Sequence, residues 1–156
     1  MSGVRCLLEV AGTEYLAPVD ADSCRALFSS QAVARLATVG PGGPHLVPIV
    51  FAIDGDTIVT AIDQKPKRTH RLQRVVNIEG DARVVALVDH YDENWDRLWW
   101  VRADGAASIL RSGREYTAAI DLLVSRYQQY QAARPDGPVI AISVARWSGW
   151  QAAPSQ

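Results

Sequence analysis

Five cations fall within ten residues: Lys65, Lys67, Arg68, Arg71 and Arg74, in the run KPKRTHRLQR, with no acid among them. Side chains of this type, gathered this tightly, can hold an anion through charge-assisted hydrogen bonds. The residues ahead of them read as a strand. Ile58, Val59 and Ile62 are β-branched, and Asp54-Gly55-Asp56 before them is turn chemistry. Gln64-Lys65-Pro66 breaks that strand, and Pro66 suits the first position of a helix, where its missing N–H has no partner to lose. At about 100° per residue, Lys67, Arg71 and Arg74 share one helical face and Leu72, Val75 and Val76 another. A strand feeding a helix N-terminus puts free amides and the positive end of the helix dipole at the same corner as the cations. The spacing predicts a phosphate-binding site there; a merely solvated basic face is the competing reading.

The charge is local. The 156 residues carry 16 Lys+Arg against 17 Asp+Glu, a net charge of −1, whereas a nucleic-acid footprint needs a basic balance over the domain. A small anionic ligand therefore fits better than DNA or RNA. Other chemistries find little support. His45, His70 and His90 are the three histidines, and none stands at metal-ligand spacing from a second histidine or from Cys6 or Cys24. The acidic run DHYDENWD, residues 89–96, lacks the glycine and closing glutamate of a calcium loop. There is no GxSxG, P-loop or GxGxxG, so an enzyme built this way needs a bound cofactor to carry the chemistry.

The elements that must position this corner are short and mostly extended. A chain of this length, 48% hydrophobic and 21% charged, suits a single globular domain spanning residues 1–156, with residues 1–16 an uncertain arm. No apolar run approaches the length of a membrane span, the N-terminal apolar patch is too short for a signal, and two cysteines suit a reducing cytoplasm. Asp20 or Asp22 caps a helix to about Gln31. Strands follow over Val33–Val39 and His45–Ile53, turning at Gly40-Pro41-Gly42-Gly43-Pro44, and Pro48 marks the second as an edge, a bulge or a ligand's resting place. Ala82–Val88 is nearly all apolar and reads as covered on both sides. Arg97–Leu110 is a strand bent near Ala103-Asp104-Gly105, with Trp99 and Trp100 on opposite faces. Ser112 and Glu115 have capping-box spacing ahead of a helix with Tyr116, Ile120, Leu123 and Tyr127 in phase. Val139–Trp147 is the last strand. About six strands and three helices, linked mostly by tight turns, predict a mainly β (α+β) antiparallel barrel with peripheral helices.

The run from Ala32 to Gly105, with HLVPI, TIVTA and the basic segment in that order, resembles the pyridoxamine 5′-phosphate oxidase-like split β-barrel family. It is most similar to the branch of coenzyme F420-dependent oxidoreductases, as is the ending RWSGW. The resemblance implies an FMN-binding-type split barrel and a homodimer with cofactor sites between subunits. The cofactor ring would lie near Val47, Pro48, Thr60 and Ala61, and its phosphate would meet Lys65, Lys67, Arg68 and Arg71. Trp147 would close the site from the other subunit. The implied activity is hydride transfer between reduced coenzyme F420, a deazaflavin, and a small unsaturated acceptor. FMN with an oxidase or reductase activity is the alternative cofactor reading, and a non-catalytic flavin or deazaflavin carrier is the alternative from another class. No catalytic acid or base is legible; His45 is a candidate donor.

Overall fold

Asp20 accepts a hydrogen bond from the Ser23 amide at 2.9 Å and so caps a helix that the chain enters from a short strand. These are β1 (Leu16–Pro18) and α1 (Ala21–Ser30) of a computed structural model that describes residues 16–62 and 72–152. The hairpin β2 (Val33–Gly40) and β3 (Gly43–Val50) follows, with Gly43 at φ +97° in the turn. One residue, Phe51, separates β3 from β4 (Ala52–Asp54), and Gly55-Asp56 turn the chain into β5 (Thr57–Ala61). After it come α2 (Gln73–Gly80), β6 (Arg83–His90), a 3₁₀ turn at Trp95–Arg97 and β7 (Trp99–Leu110). Then α3 (Arg114–Arg126), α4 (Gln128–Ala132) and β8 (Val139–Ala152) complete the described chain. None of the described helices is long and apolar enough to cross a membrane.

The strands pair antiparallel in the order β3-β2-β6-β7-β8-β5-β4, with β1 added against the end of β8. The two outer strands of that order, β3 and β4, are neighbours in sequence. The sheet must therefore curl until its edges meet, forming a barrel closed by the covalent chain but split in its hydrogen bonding. This is the split barrel expected, with eight strands among the described residues because β1 and β4 are separate short pieces. The expected strand His45–Ile53 is cut at Phe51, which is fully buried. Its backbone needs partners at the break. The Tyr127 hydroxyl supplies both, accepting from the Phe51 amide at 3.1 Å and donating to the Phe51 carbonyl at 2.6 Å.

Alternation along the strands fills two cores. Leu36, Ala86, Val88, Val101 and Ile142 point into the barrel with Phe28 of α1, while Ala52, Val59 and Val139 face Ile120 and Leu123 of α3 on the other side. β7 and β8 stay paired through a bulge at Asp104/Gly105, the expected bend. A Cβ at Gly105 would lie 2.2 Å from the Ser143 carbonyl oxygen, so the bulge excludes a side chain there.

Three expectations are corrected. Ala82–Val88 is not covered on both sides: Val84, Ala86 and Val88 are buried, whereas Val85 and Leu87 are half-exposed on the outer face. Ser112 does not cap α3; Gly113 does, at φ 95°, and no side chain bonds the first-turn amides. A helix does not run unbroken from Pro66 past Arg74, because Leu72 is extended (ψ 137°) and α2 starts after it.

Candidate functional site

The seam where the barrel splits is the first place to look for a ligand, because backbone groups there lack ladder partners. β3 forms one lip. It pairs only with β2, so Pro48 sits on an edge strand, as its missing N–H requires. Val47 faces the core and is partly buried; Pro48 faces outward and is exposed. The other lip is the short β4 and, past the end of its pairing at Val59, the end of β5, which lies against β3. Thr60 and Ala61 at its end are 3% and 8% exposed, and the Ile62 amide is held by the Pro138 carbonyl at 2.9 Å. The four residues expected at a cofactor ring therefore belong to the two strands that border one seam.

Directly after Ile62 the chain leaves the described residues. Lys65, Lys67, Arg68 and Arg71, expected at the phosphate, lie outside them, as does the arm before Leu16. Description resumes at Leu72 with the N-terminus of α2, which caps the barrel with Val75 and Ile78. Leu72 has no side-chain group to satisfy the first-turn amides.

This helix start carries buried polarity. Asn77, 2% exposed, donates to the Thr38 hydroxyl at 3.0 Å and accepts from Gln73 at 2.8 Å. Gly40 leaves room for it; a Cβ there would lie 2.1 Å from Asn77 Oδ1. Across the ladder from Thr38 stands His45, two residues from Val47 on the same face of β3. Its Nδ1 is buried and has no hydrogen-bond partner among the described residues. Arg74, in the first turn of α2, is half-buried, and its Nε is likewise buried and unpartnered. Burial lowers the Arg74 pKa from the ordinary arginine value because water no longer supports the charge. A guanidinium partly stripped of water, with no carboxylate beside it among the described residues, is suited to an anion that arrives from outside the chain.

The described structure fits the binding side of a phosphorylated ring cofactor: a seam of strand backbone beside an uncompensated cation at a helix start. The same architecture is recognisable across the chain. Residues 21–151 match the family model for pyridoxamine 5′-phosphate oxidase. The chain belongs to the pyridoxamine 5′-phosphate oxidase family.

Solved structures share the fold of this family member at low identity. An FAD-binding protein from Mesorhizobium loti superimposes with a TM-score of 0.67 at 19% identity, covering 89% of this chain and 98% of its own. The FAD binding protein from Mycobacterium smegmatis gives 0.58 at 20% identity, covering 85% and 94%. A conserved hypothetical protein from Mycobacterium tuberculosis gives 0.69 at 22% identity, covering 85% of each chain. A search of curated proteins finds no match.

Within this oxidase-family barrel, Trp147 stands apart from the other expected site residues. Its ring meets Phe28 edge-on at 5.4 Å, and its indole N–H donates to Asp56 at 2.7 Å. Arg25 of α1 also donates to Asp56, at 2.8 Å. These two donors, the indole first, hold the Asp56 carboxyl below its ordinary value. Along β8 Trp147 lies eight positions from Val139, the partner of Ala61, which is about 26 Å at 3.3 Å per residue. It lies far along β8 from the Ala61 end of the seam and bonds instead to the turn that precedes β5. The Gln73–Asn77–Thr38 chain is a feature that sequence reading did not assign, and Arg74 was counted there among the five cations without being singled out. Arg74 was visible as part of the basic face, but only burial without a partner distinguishes it from a solvated arginine.

Proposed function

We propose that this member of the pyridoxamine 5′-phosphate oxidase family is an oxidoreductase that binds the deazaflavin coenzyme F420 and reduces a small unsaturated organic acceptor. The observation that carries the reading is Arg74, a half-buried guanidinium at the start of α2 with no partner among the described residues. It fits the anionic end of such a cofactor. Lys65, Lys67, Arg68 and Arg71, next to it in sequence, would share that charge, and Val47, Pro48, Thr60 and Ala61 would border the ring. When bound, the coenzyme supplies a hydride.

The chain's own residues supply orientation, exclusion of water and electrostatic support. Apolar Val47 and Ala61 shield one side of the seam from solvent, and the rigid antiparallel strands behind them fix the ring's plane. His45 Nδ1, buried and without a partner among the described residues, would offer a hydrogen bond toward the same space. The surplus of cations favours F420, whose tail is anionic beyond a single phosphate. FMN is the second reading, because its phosphate would use the same cations. The functional unit is a homodimer, with cofactor sites between subunits and Trp147 serving the neighbouring one.

Titration of the purified protein with F420 and with FMN, followed by intrinsic tryptophan fluorescence, tests the reading. Tight binding of F420 is expected, with Lys65→Ala/Lys67→Ala weakening it at least tenfold, since each charge-assisted contact contributes about 1.5–3 kcal/mol. Micromolar or better binding of FMN with none of F420 would transfer the assignment to a flavin enzyme. A reduced cofactor that binds but is never oxidised by quinones, enones or tetrapyrroles would make the protein a carrier.

A further inference from the structure

The outer face of the barrel over β2, β3, β6 and β7 has the wrong character for a solvated surface. In an antiparallel sheet with one face buried, the other normally alternates to polar residues. Here Ala37, Leu46, Val85, Leu87 and Trp100 line a hollow of about 620 Å³ on that face, and Leu46 is 66% exposed. Its rim is charged. Arg35 pairs with Asp89 at 2.8 Å, while Arg102 and Arg146 share Asp104 at 3.0 and 3.4 Å, which leaves that corner net positive.

At the end of the face, between β6 and β7, a loop lifts two aromatic rings into water. Tyr91 is 61% exposed and Trp95 77%. The loop is nonetheless held internally. His90 bonds Asp92 at 2.9 Å and stacks on Trp99, Asp92 accepts from the Asn94 amide at 2.7 Å, and Asn94 accepts from the Asp96 amide at 3.1 Å. Leu98 is buried beneath it, and its carbonyl takes the Ala152 amide. An indole presented on a loop already ordered has little entropy left to lose on docking, the condition under which an aromatic anchor contributes most.

We infer that this loop clasps a second copy of the chain, with Trp95 and Tyr91 buried in the contact between subunits. The inference rests on the homodimer proposed above and adds the residues that make it. Size decides for the loop's involvement. Four strands about 4.8 Å apart, over about seven residues of about 3.3 Å rise, present roughly 450 Å² of face. A stable interface covers about 800 Å² per partner. Aromatic side chains bury about 150–250 Å² each, so the two rings bring the contact close to the required size. Charge favours the same occupant: the loop carries Asp92, Glu93 and Asp96 against Arg97, and the Arg102–Arg146 corner of a second copy is of opposite sign.

Hydroxyl-radical footprinting of the wild-type protein tests this, alongside sedimentation velocity. The protein should sediment as a dimer, and Trp95 should be oxidised at least threefold more slowly than in a synthetic peptide of residues 88–100. A protomer alone would protect an indole that is 77% exposed far less. Trp95→Glu, at a position whose exposure spares the fold, should raise the dimer dissociation constant thirtyfold or more, with an unchanged circular dichroism spectrum. A wild-type monomer would sink the homodimer reading and this inference together. A wild-type dimer with Trp95 protected less than threefold, or one that Trp95→Glu leaves intact, overturns the loop's role alone.

Discussion

Arg74→Met separates binding from stability because the two should move in opposite directions. Methionine keeps the length and apolar stem of the side chain but removes a charge that the fold has partly desolvated and left unpartnered. Without ligand, the variant should melt at the wild-type temperature or above it, since an uncompensated buried charge costs stability. With ligand, the loss of a charge-assisted contact of about 1.5–3 kcal/mol should weaken the cofactor about 10- to 150-fold. Differential scanning fluorimetry reads both effects. At a cofactor concentration one hundred times the wild-type Kd, binding stabilises the wild type by about 2.7 kcal/mol. For a domain of this size that is a rise of about 5–11 °C. At the same concentration the variant's rise should fall to about half of that or less. The reasoning is refuted if F420 and FMN both bind the variant as tightly as the wild type. It fails differently if the ligand-free variant melts more than about 4 °C lower, which would show that the guanidinium has a structural role.

Tyr127→Phe removes the single group that serves both Phe51 backbone atoms, and should cost about 1–3 kcal/mol and lower the melting temperature by roughly 2–12 °C. Hydrogen exchange at the Phe51 amide should accelerate with it; an unchanged rate would mean that the seam is held by other contacts. Asp56 has a carboxyl held below its ordinary value near 3.8, so its contribution is complete above that value and fades as pH falls toward the folded pKa. The melting-temperature gap between wild type and Asp56→Ala should therefore be widest near pH 7 and narrow below about pH 4. A gap that is constant with pH would show the Trp147 and Arg25 bonds to be energetically silent.

Much of the barrel was legible because its signals are local. Asp20 caps α1 with its own side chain, the glycine–proline turn sets the β2–β3 hairpin, and Pro48 can sit only where a missing N–H costs no ladder bond. The covering of β6 was misread because an apolar run does not say what packs on each face. Val85 and Leu87 look like core in sequence and line an open face in the fold. The cap of α3 was misread because a Ser–Glu spacing competes with a Gly113 backbone that adopts φ 95°. Trp147 and the seam residues could be named from sequence, but their separation along β8 and β5 could not.

By itself, the sequence determined the kind of molecule: alternating strands, tight turns, and a surplus of positive charge confined to one short segment. Those properties reside in side-chain type and spacing, which no neighbour can change. Only the tertiary structure decided that Arg74 is partly stripped of water. Desolvation belongs to what surrounds a residue, and Arg74 is half-buried because α2 lays it against the barrel without a carboxylate beside it among the described residues.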